Sequence, residues 1–273
     1  MTVSEWLIEA TTRLTAAGID SPALDAKLLA AHLFGKDRTW IIAHSDAAID
    51  ESAARALLQR REAREPLAYI LGWREFYGRR FQVKPGVLIP RQDTEVLLES
   101  ALGYICNGPV LDVGTGSGCL AITMKLETRD AEVVGIDISP EALEVALSNA
   151  KHLAADVEWI QSDLFEAVQG REFEVIVSNP PYIADSEQLM PEVVEHEPRG
   201  ALFSGPTGLE FYERLAKEAV DYLAFLGRLI VEVGHTQSQQ VEHLFQAHGW
   251  FHEWTTEDLS GVDRVLAFSR PNL

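Results

Sequence analysis

The chain has 273 residues, 47% of them apolar, two cysteines, and a formal net charge of −19 at pH 7. That composition is globular; it excludes a disordered tail-like protein and a disulfide-stapled secreted module. No apolar run approaches the ~20 residues of a membrane-spanning helix, and Met1–Ala10 carries Glu5 and Glu9 without a basic leader, so a cytoplasmic location with no membrane partner is expected.

Residues 3–64 read as helices. Val3, Trp6, Leu7 and Leu14 fit a helical stripe, Asp20-Ser21-Pro22 is a helix start, and Gly35 stops the helix that follows. Asp50-Glu51-Ser52 opens another helix, whose Arg55, Arg60, Arg61 and Arg64 read most simply as a solvated face and, more sharply, as a partner-docking face. From Pro66 the character changes. Aromatic residues alternate around Gly78 in Trp73–Phe81, which predicts a hairpin. Leu88-Ile89-Pro90-Arg91 then leads to a helix start, with Asp93 or Thr94 as the N-cap.

From Gly108 onward strand, turn and helix repeat. Strands are predicted at Val110–Val113, Glu132–Asp137, Val157–Gln161, Phe173–Ser178 and Arg228–Val233, with two more near Phe251–Trp254 and Arg264–Phe268. Intervening helices are predicted at Cys119–Leu126, from Ser139 to Leu153, over about 208–226, and at Gln237–His248. The alternation predicts a doubly wound α/β sheet of seven strands, parallel except for a terminal hairpin, preceded by a smaller helical domain joined through a β-hairpin. The expected boundaries are 1–74, 75–90 and 91–273. Cys106 and Cys119 are both expected as buried thiols.

The charge is unevenly placed. Residues 1–85 hold 12 Lys and Arg against 11 Asp and Glu, whereas residues 86–273 hold 11 against 31. Contact with a phosphate backbone relies on Lys and Arg displacing counterions, so this balance argues against direct nucleic-acid binding.

Four features fall at the carboxyl ends of predicted strands, where open α/β sheets bind ligands. Gly114-Thr115-Gly116-Ser117-Gly118 joins strand to helix and lets backbone approach a ligand, although its third glycine comes one residue early for a dinucleotide loop. Asp112 precedes it, poised to bind a cationic amino group or to cap backbone. Asp137 suits ribose hydroxyls, its bland alternative being a helix cap. Asp163, beside Leu164 and Phe165, suits an adenine amine under an apolar cover, its bland alternative being a turn residue. Asn179-Pro180-Pro181-Tyr182 combines an amide, two prolines that leave carbonyl acceptors on a stiff turn, and an aromatic wall. Such a group suits a planar –NH2; by itself it is also an ordinary X-Pro-Pro turn.

These stretches resemble a known family. Val110–Gly118 resembles motif I of class I S-adenosylmethionine-dependent methyltransferases, and Asn179–Tyr182 the motif of their amino-methylating members. The resemblance extends over almost the whole chain to the release-factor glutamine N5-methyltransferases (the PrmC/HemK family), through Pro66–Gly72, Phe76–Gly78, Leu88–Arg91 with Asp93–Glu95, Val177–Ile183, Glu197-Pro198, Gly208–Tyr212 and Asp258–Arg264. It implies a Rossmann-like methyltransferase sheet using S-adenosyl-L-methionine and no metal. Gly114, Thr115, Gly116, Ser117 and Gly118 would hold the methionine part, Asp137 the ribose, and Asp163 with Leu164 the adenine. Asn179 would border the cofactor. Asn179, Pro180, Pro181 and Tyr182 would bind the substrate glutamine, with Asn179, Pro180 and Tyr182 acting on it. Leu164 stands where some members carry Trp, a smaller cover for adenine. The partner implied is a class 1 peptide chain release factor presenting its Gly-Gly-Gln loop, docked by the helical domain. Because Asn-Pro-Pro-Tyr is shared with N6-adenine methyltransferases, a nucleic-acid base is the rival substrate. A non-catalytic cofactor-binding scaffold and a nicotinamide dehydrogenase fit the pattern less well.

Overall fold

A computed structural model of the protein describes residues 1–128 and 130–270. The chain divides into two compact units. One comprises Met1–Trp73 with Leu189–His196, the other Arg74–Gln188 with the chain from Glu197 on.

The first unit is helical: α1 (Val3–Ala16), α2 (Pro22–Phe34), α3 (Arg38–Ala43), α4 (Glu51–Glu62) and the short α5 (Leu67–Leu71). Local chemistry sets the ends. Thr2 and Glu5 form a reciprocal capping box at α1, Asp37 and Asp50 cap α3 and α4, and Gly35 closes α2 in the left-handed region. Trp6, Leu14, Leu29, Ile41, Leu58 and Ile70 fill its core.

The expected solvated arginine face is only partly that. Arg55 is exposed, but Arg61 is 6% exposed. Arg61 Nε donates to Asp25 at 2.7 Å, and Nη1 donates to Glu192 at 2.8 Å and to the Glu65 carbonyl at 3.0 Å. Burial pushes the Asp25 carboxyl upward despite the facing guanidinium. Arg64 spans to the Ala17 and Gly18 carbonyls. These partners are remote in sequence, so charge spacing within one helix does not reveal them.

The second unit begins at Arg74, one residue into the hairpin of β1 (Trp73–Phe76) and β2 (Arg79–Gln82), whose Phe76 and Phe81 are buried in this unit's core. Then come α6 (Thr94–Leu102), β3 (Val110–Val113), α7 (Cys119–Thr128), β4 (Val133–Asp137), α8 (Pro140–Leu153), β5 (Glu158–Gln161) and β6 (Phe173–Ser178). α9 (Pro191–His196) belongs to the helical unit; α10 (Glu210–Glu218), β7 (Leu223–Glu232), α11 (Ser238–Ala247), β8 (Phe251–Glu257) and β9 (Asp263–Ser269) complete the second.

The strand order is β5-β4-β3-β6-β7-β9-β8, parallel as far as β7, with β9 antiparallel to β7 and to β8. This is the expected doubly wound seven-stranded sheet. Both faces are covered, as a parallel sheet requires. Val110, Val175 and Val177 pack with residues of α6 and α7, while Leu111, Ile176 and Val231 pack with residues of α10 and α11.

Two local expectations fail. The helix expected over 208–226 ends at Glu218, followed by a 3-10 turn, Ala219–Asp221, and then β7. Leu223 pairs with Phe173 of β6, so sheet pairing overrides a helical apolar spacing there. Cys119 is buried, but Cys106 is exposed in the turn before β3.

Removing Arg61 leaves two carboxylates of the helical unit without their cation. Arg61→Ala is expected to destabilise the protein by about 3–5 kcal/mol in urea unfolding, the cost of breaking a buried pair, whereas Arg55→Ala shifts it little.

Candidate active site

The chain runs β3, β4, β5 in one direction across the sheet and then returns to place β6 on the other side of β3. Their carboxyl ends diverge at this switch point and leave a crevice. A cavity of about 230 Å³ lies there. It is lined from four strand ends by Gly114, Thr115, Gly116 and Ser117, by Asp137, by Asp163 and Leu164, and by Asn179 and Pro181. Leu88, Pro90, Arg91 and Thr94 line it from the segment entering α6, and Pro198, Ala201 and Phe211 from the region after α9.

The glycine loop divides its labour. Gly114 and Gly116 have φ of 75° and 57°; an added Cβ at Gly114 meets nothing within 4 Å, and one at Gly116 meets only the Gly114 carbonyl at 4.0 Å. Their backbone faces open space. Gly118, also left-handed, faces the interior: a Cβ there comes within 2.9 Å of the Trp159 ring and 3.0 Å of Ala146 and Ile122. Gly118 does not line the cavity and serves close packing of the loop.

Asp112 lies entirely out of solvent beneath the loop. One oxygen accepts from the Thr115 hydroxyl at 2.6 Å and from the Ala121 amide at 3.2 Å; the other has no hydrogen-bond partner. Burial pushes its carboxyl up to about 7. Asp137 is used on both oxygens: Oδ2 accepts from the Gly116 amide and Oδ1 from the Ser139 amide, each at 2.9 Å. It thereby ties the glycine loop to the β4 end, while the Ser139 hydroxyl caps α8. Burial raises its carboxyl too. Asp163 is half-exposed, and its Oδ1 accepts from Arg214 at 2.9 Å. Leu164 is buried at φ 46°, a left-handed setting that costs a non-glycine residue ~1–3 kcal/mol.

Asn179 follows β6 directly. The Ser178 hydroxyl donates to the Val113 carbonyl at 2.9 Å, binding the ends of β3 and β6. Asn179 Nδ2 donates to the Thr94 hydroxyl oxygen at 3.0 Å. Of the two expected caps, Asp93 is the N-cap residue of α6, without a side-chain cap bond, and Thr94 is the first residue of the helix. Pro180 and Tyr182 lie outside the cavity lining. Tyr182 packs partly buried against the sheet core, its carbonyl accepts from Gln237 Nε2 at 2.8 Å, and burial raises its phenol well above the ordinary value.

Thr94, Glu197 and Glu232 were not among the site residues expected from sequence. Glu197 is 6% exposed, accepts from the Ile89 amide at 3.1 Å and from Arg91 at 2.6 Å, and so fastens the segment that carries Pro90 and Arg91 into the cavity. Glu232 is 1% exposed, and burial pushes its carboxyl up to about 7, opposed by the nearby Thr94 hydroxyl. A buried acid at a strand end is a visible signal, but its partners lie more than a hundred residues away.

The charged members of the lining are two carboxylates, Asp137 and Asp163, the second paired with Arg214, and one guanidinium, Arg91, paired with Glu197, so Asp137 is the lining carboxylate with no facing cation and the lining can hold a ligand with cationic character. Together with the open glycine backbone, this fits S-adenosyl-L-methionine, which carries a sulfonium and an ammonium.

Two family models match the chain: the PrmC N-terminal domain over residues 5–72, and the methyltransferase small domain over residues 91–201. A release factor glutamine methyltransferase from Geobacter sulfurreducens is 42% identical, over 93% of this chain and 91% of that protein. One from Koribacter versatilis is 38% identical over 99% of both. Among solved structures, a methyltransferase from Pyrococcus furiosus superposes with a TM-score of 0.57 at 17% identity, covering 82% of this chain and all of the other. That similarity concerns the fold.

The raised carboxyl of Asp112 makes a signed prediction. Its folded-state pKa of about 7 exceeds the ordinary 3.8, so the fold favours the protonated form. Its contribution to stability is therefore full below about pH 4, falls as pH rises through 7, and is level above about 8. Urea unfolding of Asp112→Asn should show the variant gaining on wild type as pH rises from 5 through 7, the difference levelling off above about pH 8.

Proposed function

The chain belongs to the release factor glutamine methyltransferase family, and we infer that its cavity brings S-adenosyl-L-methionine to a glutamine side chain of a peptide chain release factor, whose N5 nitrogen takes the methyl group. The observation that carries this reading is the Asn179 amide, fixed by Thr94 in the same cavity as the open backbone of Gly114 and Gly116.

S-adenosyl-L-methionine, when bound, supplies a methyl group already activated on a sulfonium. Gly114, Thr115, Gly116 and Ser117 would hold its methionine part. Asp137 would receive the ribose hydroxyls on the lone pairs its backbone donors leave free. Asp163 and Leu164 would take the adenine. This chemistry calls for no metal.

The difficulty lies in the nucleophile, because an amide nitrogen delocalises its lone pair into the carbonyl. With Nδ2 of Asn179 committed to Thr94, the side-chain oxygen is free to accept from the glutamine NH2. The Pro180 carbonyl serves as the second acceptor, on a turn stiffened by the fixed φ of Pro181. Two aimed acceptors draw charge onto the glutamine nitrogen and fix its direction, which is positioning plus electrostatic stabilisation. Tyr182, which lies outside the lining and packs against the sheet core, would back this acceptor turn from behind. An N-protonated amide is strongly acidic and gives up its proton to water, so no dedicated base is required.

We assign residues 1–74 to docking of the release factor near its Gly-Gly-Gln loop, 75–90 to the connecting hairpin, and 91–273 to cofactor and catalysis. A substrate of this kind places the reaction in the cytoplasm. The rival nucleic-acid base is disfavoured by the acidic charge of residues 86–273, which is poorly suited to a phosphate backbone.

Labelled methyl from S-adenosyl-L-methionine should appear on a purified release factor, and not on its loop Gln→Ala variant or on DNA; label on DNA would transfer the reading to N6-adenine. Asn179→Ala should lower kcat by roughly 10²–10³ while cofactor affinity stays near wild type. Loss of cofactor binding in that variant would refute the role given to Asn179. On the helical unit, Arg55→Glu should raise KM for the release factor and leave kcat in place; an unchanged KM argues against docking through that face.

A further inference from the structure

β6 and β7 pair in parallel as far as Ser178 with Val231, so Asn179 and Glu232 occupy neighbouring strand ends. Thr94, 3% exposed, accepts from Asn179 Nδ2 at 3.0 Å through its hydroxyl, and the same hydroxyl faces the Glu232 carboxyl and opposes the upward push of burial on it. Glu232 Oε2 has no hydrogen-bond partner.

A hydroxyl has one proton, and an ionised carboxylate can only accept. The Thr94 proton therefore points at Glu232, and the lone pairs left on Thr94 oxygen can be met only by a donor. On Asn179 that donor is the NH2 edge, and the oxygen edge is turned the other way. Without an obligate acceptor behind Thr94, the hydroxyl is free to donate to Asn179 instead, and the two orientations of the amide become comparable. The amide direction is thus set one residue behind the amide itself.

Resting on the function proposed above, we propose that Glu232 is a positioning residue for methyl transfer: acting through Thr94, it holds the Asn179 amide with its oxygen toward the glutamine NH2.

Glu232 is surrounded by Arg264 of β9, by Arg91 and Asp93 ahead of α6, by the Tyr182 phenol and by the Cys119 thiol of α7, while the Tyr212 hydroxyl of α10 donates to its backbone carbonyl at 2.7 Å. Arg264 is engaged with Asp258 at 2.9 Å and Asp93 at 3.5 Å, and Arg91 with Glu197 at 2.6 Å, so neither is committed to Glu232. Burial sets the Glu232 carboxyl to about 7. Above that pH the carboxylate accepts and the amide is aimed. Below it the acid becomes a donor to Thr94, the Thr94 proton turns toward Asn179, and the amide rotates.

The test uses the full-length protein, a release factor and Glu232→Gln, which keeps the shape and removes the obligate acceptor. In wild type, kcat should fall on the acid side of about pH 7 while KM and cofactor affinity stay level. In Glu232→Gln that bend should disappear, with kcat at pH 8 lowered by about two-fold or more as the two amide orientations approach equal population. Thr94→Val should also lower kcat, and Thr94→Ser should restore it. The Asn179 side-chain 15N amide resonance, read without substrate, should move with a midpoint near pH 7 in wild type and not in Glu232→Gln. A Glu232→Gln variant that keeps both the bend and the wild-type kcat overturns the proposal. So does an Asn179 resonance indifferent to pH. If Glu232→Gln does not fold, the Thr94 pair and the wild-type resonance decide. A wild-type protein that methylates no release factor refutes the function above instead, while the resonance still tests the Glu232–Thr94–Asn179 linkage.

Discussion

Parallel pairing of β3 with β6 puts Val113 opposite Ser178, and the Ser178 hydroxyl fastens the two ends with a 2.9 Å bond to the Val113 carbonyl. From that one register the next residue of β3 is Gly114 and the next of β6 is Asn179. Backbone that can approach a small molecule and an amide that can receive an –NH2 group are therefore adjacent by construction. A one-residue slip would move Asn179 to the opposite side of its strand and would bury a polar amide among apolar side chains. The core residues on both faces of β6 make that slip costly, so the apolar packing far below the cavity specifies what lies at its rim.

The cavity is framed by acids that are mostly occupied. Asp137 takes two backbone amides, Glu197 takes a backbone amide and Arg91, and Asp112 takes a hydroxyl and an amide. Such bonds stabilise carboxylates away from water and turn flexible connections into fixed ones. Two oxygens are not used in this way, Asp112 Oδ1 and Glu232 Oε2. Both belong to carboxyls that burial pushes toward neutrality, so the groups with spare acceptor capacity are those whose charge is most easily lost.

The fold was legible because its period was legible. Strand, glycine turn and helix recur with apolar runs that only a sheet covered on both faces accommodates. The four polar groups at strand ends announced the crevice without any knowledge of distances, and the cavity does gather Gly114–Ser117, Asp137, Asp163, Leu164 and Asn179. What stayed hidden depended on partners distant in sequence. Thr94 reads only as one of two candidate caps for α6, and its tie to Asn179, 85 residues later, has no local signal. Arg61 reads as a surface charge until Asp25 and Glu192 close around it. Gly118 reads as part of a ligand loop until Trp159 is seen against it. At Leu223–Leu226 apolar spacing continued a helical stripe, and only the pairing with β6 shows that the chain is extended there. Cys106 looked like a core thiol by residue type; the turn that holds it leaves it exposed.

The helical unit is not a contiguous piece of chain. Leu189–His196, which includes α9, follows Asn179 by only ten residues, yet it belongs to the same compact unit as Met1–Trp73 and is held there by the Arg61–Glu192 pair. The unit is therefore not an accessory module that recombination could add or remove at one junction. A truncation at residue 73 would strip α9 of Arg61 and strand Glu192 in the middle of the remaining chain. The two units are thus expected to be inherited together, with insertions and deletions around residues 189–196 constrained by a helix encoded more than a hundred residues earlier.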